Sequence, residues 1–323
     1  MIQYALVADI GGTNARFALC DKQNGAISHI DVLAGADFAS FADATRHYLG
    51  SVSCKIKQAC IAIAAPIKDG YINMPNTPWQ FHVDELKQEL ALDALFVIND
   101  FEAISYALPM LEPSDLVKLG GDKPLKGSPN VIYGPGTGLG VAYTTTVNDQ
   151  YIVLPSETGH AKTGPLHKDE LPVFTQLFKM IEDVEGQTLI SGQGIVNIYR
   201  ALILSRNRTP VYDHPAKITE LALAGSCQDC IDTLDFFCCY LGRFGGDLAL
   251  SLNTWGGVYI AGGIAPKIIE FLKQSRFRQG FEDKGKQSDL LRPVPVYVIM
   301  HHNPGLLGAG FYLREIAVQC CGN

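Results

Sequence analysis

Short apolar runs alternate with longer segments of helical periodicity along the first third of the chain, an order typical of α/β proteins. Apolar runs bounded by turn-forming residues predict strands, whereas apolar residues that recur at helical spacing predict helices. This first part therefore predicts an α/β lobe. Its predicted strands are Tyr4–Ala8, Arg16–Cys20, Ala59–Ala64, Tyr71–Asn73 and Leu95–Ile98, and its predicted helices are Phe38–Leu49 and Val83–Leu90.

The alternation resumes after a loop-rich segment, Pro109–Lys126, which we interpret as the crossing into a second lobe. The chain has no low-complexity linker. The predicted strands of the second lobe are Val131–Tyr133, Val141–Val147, Ile152–Leu154, Gly256–Ile264 and Val294–Met300. Its predicted helices are Glu170–Glu182, Gly194–Ser205, Ile218–Ala224 and Asp229–Asn253, and a glycine-rich helix begins at His302.

Composition agrees with two lobes, because 323 residues are too many for one ordinary core. The hydrophobic fraction of 47% is sufficient for two buried sheets. A formal net charge of −7 indicates neither a nucleic-acid surface nor attraction to anionic membranes. Asp9 interrupts the first apolar run, and glycine-rich turns interrupt the long uncharged stretches, so we expect no signal peptide and no membrane helix. The sequence therefore predicts a cytoplasmic protein.

The nine cysteines include a single C-x-x-C pair, Cys227 and Cys230. A structural zinc site requires four ligands at compatible spacing, and the sequence has no second such pair and no nearby histidine pair. An odd number of cysteines in a chain without a leader favours reduced thiols, with redox or metal roles as the lesser alternatives.

A glycine-rich loop follows the first predicted strand. Gly11–Gly12 allow a tight turn that brings backbone N–H groups close to an anion. Thr13 and Asn14 can donate hydrogen bonds to phosphoryl oxygens, and Asp9 can hold a magnesium ion through water. Because glycine-rich turns after strands are also common structural features, this loop alone leaves a purely structural role open.

A second glycine-rich loop, formed by Gly136, Thr137 and Gly138, lies between two predicted strands. Neither loop matches the P-loop pattern G-x-x-x-x-G-K-[ST], and the second matches the dinucleotide fingerprint only loosely. A strand–turn–strand element favours a β-hairpin phosphate loop over Rossmann binding of NAD. Two phosphate loops in one chain suggest two lobes that face one nucleotide.

Two further pairs of polar residues can bind and activate a hydroxyl group. Asp100 ends an apolar strand and can accept a hydroxyl proton, while Asn99 can hold a hydroxyl-bearing ligand with a donor and an acceptor. This pair also fits a helix N-cap, which we would favour if the other motifs were missing. Glu157 and His160 flank a glycine and can bracket vicinal hydroxyls, although a lone histidine is more often structural.

Six segments, in order, resemble those of the bacterial glucokinases, within the sugar kinase/actin/Hsp70 superfamily. They are Asp9-Ile-Gly-Gly-Thr-Asn-Ala-Arg16, Ile98-Asn-Asp-Phe101, Gly134-Pro-Gly-Thr-Gly-Leu-Gly140, Leu154-Pro-Ser-Glu-Thr-Gly-His160, Leu189-Ile-Ser-Gly192 and Ile260-Ala-Gly-Gly263. The resemblance covers nearly the whole chain. The C-x-C-G-x-x-G-C zinc motif of the ROK sugar kinases is missing from the sequence, so the chain is similar to the zinc-free group.

The resemblance implies an α/β fold of two ribonuclease-H-like lobes, as in actin-like ATPases, with the active site in the cleft between them. The smaller lobe would comprise residues 1–109, completed by a C-terminal helix at 302–323, and the larger lobe residues 110–301. Gly262 and Gly263 would lie in the adenosine loop, where missing side chains let the base approach. ATP and Mg²⁺ would be the cofactors, and a homodimer would be the assembly.

The resemblance also implies the roles of the acceptor residues. Asp100 would be the general base toward the 6-hydroxyl of glucose, giving glucose 6-phosphate and ADP, while Asn99, Glu157 and His160 would bind the sugar. The family pattern has a further sugar-binding glutamate where this chain has Gln187. Glutamine cannot offer a charged acceptor, so weaker or altered sugar recognition is expected unless Glu185 substitutes through a local register shift of two.

The nearest alternative is a kinase of fructose, mannose or an N-acetylhexosamine, which Gln187 keeps open. A sugar-responsive regulator would need a DNA-binding segment, and the strand that starts at Tyr4 leaves no room for one upstream. An actin-like filament former would leave Glu157 and His160 without an explanation.

Overall fold

The computed structural model describes residues 3–52, 54–74 and 77–316, which form two compact units. One unit comprises the described residues up to Pro113 together with those from His301 onward, and the other comprises Ser114–Met300. The division into functional lobes, 1–109 with 302–323 and 110–301, stays a prediction. Residues 317–323 of the predicted C-terminal helix lie outside the described residues.

The first unit is built on a mixed sheet with the strand order β3-β2-β1-β4-β8 and a small antiparallel sheet with the order β5-β6-β7. Its elements, in chain order, are β1 (Tyr4–Ile10), β2 (Asn14–Asp21), β3 (Ile27–Ala34), α1 (Phe41–Val52), β4 (Gln58–Ile63), β5 (Ile67–Lys68), β6 (Tyr71–Asn73), β7 (Gln80–His82), α2 (Val83–Glu89), β8 (Ala94–Asn99) and α3 (Asp100–Ala107).

The parallel strands of the large sheet end at one edge. β1 is parallel to β4, and β4 to β8, with Ile10 opposite Ile63 and Ile63 opposite Asn99. Central strand β1 is an almost continuous apolar run because both of its faces are covered, and Ala5 to Ala8 are fully buried. The residues that follow β1 and β8 therefore share one edge, two strand spacings or about 10 Å apart.

The second unit is built on a sheet with the strand order β12-β11-β10-β13-β14-β9. Its elements are β9 (Leu116–Gly120), β10 (Asn130–Pro135), β11 (Leu139–Val147), β12 (Gln150–Ser156), α4 (Leu171–Met180), α5 (Gly186–Leu189), α6 (Gly192–Ser205), α7 (Pro215–Leu223), α8 (Gln228–Leu252), β13 (Gly257–Ile260), α9 (Ile269–Gln274), α10 (Phe277–Glu282), α11 (Ser288–Leu291) and β14 (Val296–Ile299).

Two sequence predictions for this unit need correction. The loop-rich segment Pro109–Lys126 contains β9, a short, half-buried edge strand that pairs with β14 and therefore lacks the apolar run of a central strand. The strand predicted over Gly256–Ile264 ends at Ile260, because Gly262 adopts a positive φ of 82° and turns the chain.

The long helix α8 is a core element of the second unit. Most of its apolar residues are buried, from Cys230 to Ala249, and it packs against α10. Gly242 makes this approach possible, since a Cβ there would overlap the backbone of Phe277. No helix among the described residues is long and apolar enough to cross a membrane.

The last helix, α12 (Pro304–Phe311), belongs to the first unit and is followed by a π-helical turn at Tyr312–Ile316. It begins at Pro304, a favoured first position, and not at His302 as the sequence indicated. Gly308 lies so close to the carbonyl group of Ala103 in α3 that a Cβ would overlap it. The glycine-rich sequence of α12 thus serves close helix packing.

Candidate active site

The first glycine-rich loop is the tight connection between β1 and β2. The N–H of Gly11 donates to the carbonyl oxygen of Asn14 at 3.0 Å, and the N–H of Gly35 donates to that of Thr13 at 2.9 Å. These bonds close the turn and hold it to the end of β3. Hydrogen bonds therefore fix the backbone of this loop, and Thr13 and Asn14 remain exposed.

Asp9 stands at the end of β1 with 22% of its side chain exposed, and its carboxylate lies 3.8 Å from the Arg16 guanidinium. Burial raises the pKa of the Asp9 carboxyl, and Arg16 opposes this shift. Gly305 in the first turn of α12 covers the carboxylate: a Cβ there would lie 2.9 Å from the Asp9 Cγ. The first turn of α12 therefore packs directly against the Asp9 side chain and contributes to its burial.

A single carboxylate fits the way proteins hold Mg²⁺, which keeps several waters and binds through one or two carboxylates together with substrate phosphates. Asp9 is the residue at this sheet edge that could supply that carboxylate. Among residues 3–52, 54–74 and 77–316, no group of three or more His, Cys, Asp or Glu side chains could hold a metal ion by itself. The seven cysteines in these ranges are free thiols, and Cys320 and Cys321 lie outside them.

Asn99 and Asp100 form the junction between β8 and α3. The Asn99 Oδ1 accepts from the N–H groups of Phe101 (2.9 Å) and Glu102 (3.4 Å), and the Glu102 carboxylate accepts from the N–H of Asn99 at 3.3 Å. Asn99 is thus an N-cap within a capping box, the role that the sequence left open. Because its side-chain oxygen caps the helix, the Asn99 side chain could contact a sugar through its amide nitrogen, Nδ2.

Asp100 is the first residue of α3 and is half buried, and its Oδ1 accepts from the N–H of Phe101 at 3.0 Å. The N-terminus of a helix stabilises a carboxylate in its charged form. Asp9, near the end of β1, and Asp100, directly after β8, lie at the same edge of the sheet, with β4 between the two strands.

The second glycine-rich loop is the hairpin between β10 and β11, as the sequence predicts. Pro135 pairs with Leu139, and the N–H of Gly136 donates to the carbonyl oxygen of Gly138 at 2.9 Å. A Cβ at Gly136 would meet no described atom within 4 Å, so this position faces open space. The turn of this hairpin therefore leaves room for a ligand beside Gly136.

The Gly262–Gly263 turn lies next to this hairpin, because β10 and β13 are parallel neighbours. A Cβ at Gly262 would lie 2.5 Å from the carbonyl oxygen of Pro135, whereas one at Gly263 would meet nothing within 4 Å. Gly262 is therefore required for packing and for its left-handed backbone, while Gly263 leaves space for a ligand.

Glu157, His160, Glu185 and Gln187 form one cluster in the second unit. The His160 Nε2 lies 3.9 Å from the Glu157 carboxylate, and its Nδ1 lies 3.2 Å from the Glu185 carboxylate and 3.1 Å from the Gln187 amide nitrogen. The Gln187 Nε2 donates to the Glu185 Oε1 at 2.7 Å. These acceptors and donors could bracket adjacent hydroxyl groups of a sugar.

Within each unit the structure brings together the residues that the sequence proposes. Asp9, Gly11, Gly12, Thr13, Asn14, Asn99 and Asp100 lie at one sheet edge of the first unit, and Gly136, Thr137, Gly138, Gly262 and Gly263 surround the hairpin of the second. Sequence reasoning missed Gly305, whose contact with Asp9 is signalled only by Pro304-Gly305 at the start of a helix.

Comparison with known proteins decides the family. A family model described as Glucokinase matches residues 6–316. The glucokinase of Salmonella paratyphi B is 48% identical over 315 residues, which are 98% of this chain and 98% of the relative. The chain belongs to the glucokinase family.

Solved glucokinase structures have the same fold. A glucokinase from an Antarctic psychrotroph is 38% identical, with a TM-score of 0.88 over 98% of this chain and 100% of that one. The glucokinase of Balamuthia mandrillaris, solved in complex with glucose, has a TM-score of 0.78 over 97% and 94% of the two chains. Its 21% identity shows the shared fold alone. The predicted α/β fold of the actin-like ATPase class is thereby confirmed.

Proposed function

We propose that this member of the glucokinase family transfers the γ-phosphoryl group of ATP to the 6-hydroxyl of glucose, giving glucose 6-phosphate and ADP. The observation that carries the proposal is 48% identity to a glucokinase over 98% of both chains. The cluster around His160 supports a polyhydroxylated acceptor, because it places two carboxylates and an amide nitrogen 3.1 to 3.9 Å from the imidazole nitrogens.

In this proposal Asp100 is the general base. Its carboxylate lies at the start of α3, where it accepts from the N–H of Phe101, and it would accept or orient the proton of the incoming hydroxyl. The Asn99 amide group donates to the sugar, while its oxygen keeps the helix capped. Glu157, His160 and Gln187 bind the remaining hydroxyl groups.

The two glycine-rich loops hold the phosphates of ATP. Backbone N–H groups at Gly12–Asn14 and at Thr137–Gly138 would donate to phosphoryl oxygens, since those of Gly11 and Gly136 already close the two turns, and the space beside Gly263 would admit the adenosine. Asp9 would hold Mg²⁺ through water, and the bound ion would neutralise charge on the phosphoryl oxygens. A cytoplasmic location and a homodimer are further parts of the proposal and rest on the family resemblance.

A coupled assay of ADP release across glucose, mannose, fructose and N-acetylglucosamine tests the reaction, with the phosphorylated position identified by ³¹P NMR. We expect glucose to give the highest kcat/KM and to yield the 6-phosphate. Turnover with another hexose alone would replace glucose in the proposal. The absence of hexose-dependent ADP release would reject the proposal.

A further inference from the structure

Glu185 is the most enclosed ionisable group of the cluster around His160. Its side chain is 19% exposed, compared with 55% for His160 and 90% for Glu157. One carboxylate oxygen, Oε1, lies within hydrogen-bonding distance of both the His160 Nδ1 and the Gln187 Nε2. A carboxylate is acceptor-only when ionised, so the Gln187 Nε2 donates to it, and the His160 Nδ1 completes this hydrogen bond when it carries the ring proton.

The backbone holds Glu185 in this place. Its N–H donates to the Thr188 hydroxyl at 3.0 Å as α5 begins, and the N–H of Gly186 donates to the carbonyl oxygen of Ala161 at 2.9 Å. Gly186 also lies against the carbonyl oxygen of Gly159, 2.9 Å from the position of a Cβ. The segment that carries His160 and the segment that carries Glu185 are therefore packed as one piece.

The hydrogen bonds that His160 can offer depend on its tautomer. With the ring proton on Nδ1, His160 donates to Glu185 and presents Nε2 on the side of Glu157 as an acceptor, whereas with the proton on Nε2 the Nδ1 atom would accept from the Gln187 Nε2. Because the Gln187 Nε2 already donates to Glu185 at 2.7 Å, the contact with Glu185 favours the proton on Nδ1. The histidine can therefore meet a sugar hydroxyl through Nε2 in a defined tautomer.

Gln187 suits this arrangement because it is neutral. Its amide nitrogen donates to Glu185, and its Oε1 lies 3.1 Å from where a Cβ at Gly138 would be, on the side of the hairpin. A glutamate at position 187 would have to bring a second carboxylate to about the same place, next to the first. Two carboxylates so close cannot both remain ionised without a large cost.

We propose that Glu185 is a positioning residue that provides the anionic group of this sugar site, with Gln187 as its neutral donor and His160 as the ligand that it orients. The inference rests on the proposed function and adds a role for one carboxylate that the reaction itself does not require. It predicts that glucose binding requires one carboxylate at position 185 or position 187. Binding should weaken when both positions carry a carboxylate and also when neither does.

Four variants test the inference through the KM for glucose at saturating ATP: Glu185→Gln, Gln187→Glu, the double exchange, and Glu182→Gln as an exposed control. Loss of a hydrogen bond to a charged group is expected to raise KM about tenfold or more in Glu185→Gln, with a smaller change in kcat. Gln187→Glu should also raise KM, and the double exchange should return it to within about threefold of the wild type. Thermal melting of each variant separates binding from folding.

The tautomer of His160, read from imidazole ¹⁵N shifts, tests the inference without turnover. We expect the Nδ1-protonated form in the wild type and its loss in Glu185→Gln, with Glu182→Gln unchanged. The inference would be overturned if Glu185→Gln kept the KM and the His160 tautomer of the wild type. It would also be overturned if the KM increases of the two single variants simply added in the double exchange. If the wild type lacks hexose-dependent turnover but the tautomer still depends on Glu185, the proposed function fails and the positioning role stands.

Discussion

A buried ion pair in the second unit offers a quantitative test of the structure. Glu170 and Arg243 are each 6% exposed at the side chain, and the Glu170 Oε1 lies 2.6 Å from the Arg243 Nη2. The other oxygen, Oε2, accepts from the Tyr240 hydroxyl at 2.8 Å and from the N–H of Leu166 at 2.9 Å. Removal of the charge on Glu170 leaves the buried guanidinium with only the more distant and more exposed Asp283 carboxylate, at 3.9 Å, as a counter-charge.

The size of the expected loss of stability follows from the pKa of the Glu170 carboxyl group. Burial alone would raise the pKa of Glu170, but the hydrogen bonds from Arg243, Tyr240 and Leu166 outweigh it and hold the pKa at about 2, against an ordinary 4.5. At about 1.4 kcal/mol per pKa unit this shift corresponds to about 3 kcal/mol. Breaking a buried pair by removing one partner costs a similar ~3–5 kcal/mol.

The sign of the pH dependence is determined by the lowered pKa. The stabilisation from the Glu170 charge is fully present above the unfolded pKa near 4.5 and is lost as the pH falls toward 2. We therefore expect Glu170→Gln to lower the free energy of unfolding by about 3 kcal/mol at pH 7. The difference from the wild type should shrink as the pH falls from 5 to 2.

Urea unfolding of wild type and Glu170→Gln at pH 7, 5 and 3 measures both effects. Glu270→Gln is the matched control, because Glu270 is exposed and should change stability by less than about 0.5 kcal/mol. Combining Glu170→Gln with Arg243→Met should recover part of the loss, since no buried charge then remains. A Glu170→Gln variant as stable as the control at pH 7, or a deficit independent of pH, would refute the reasoning.

Four further substitutions probe the scaffold of the site. Asn99→Ala removes the N-cap of α3 and should cost about 1 kcal/mol in urea unfolding; an unchanged midpoint would contradict the cap. Gly262→Ala forces a Cβ into neighbouring backbone at positive φ and should lower Tm and raise the KM for ATP, whereas Gly263→Ala should preserve Tm. Gly308→Ala should destabilise the protein by roughly 1–3 kcal/mol by forcing α12 away from α3, and a wild-type Tm would contradict that close packing.

The sequence predicts the parts of the site that depend on local chemistry. The turn after β1 and the hairpin at Gly136–Gly138 follow from glycine between apolar strands, and both occur. Asn99-Asp100 at a strand end allowed either a cap or a sugar ligand. The structure shows the cap: the Asn99 Oδ1 accepts hydrogen bonds from the first N–H groups of α3. The Asn99 amide nitrogen is left for another role.

Features that depend on distant residues could not be read from the sequence. β9 is visible only through its pairing with β14, because a short edge strand lacks a strong apolar pattern. The contact of Gly305 with Asp9 joins residues from opposite ends of the chain. The approach of Glu185 to His160 likewise depends on how two segments pack, although the sequence did mark Glu185 as a candidate.

The central claim is that Asp100 is the base for phosphoryl transfer to glucose. Its most direct test compares wild type and Asp100→Asn for glucose binding by calorimetry and for single-turnover glucose 6-phosphate formation at saturating ATP and Mg²⁺. The account predicts that the variant still binds glucose but forms product about 10²–10⁴ times more slowly. A variant that binds glucose and forms product at the wild-type rate would contradict it.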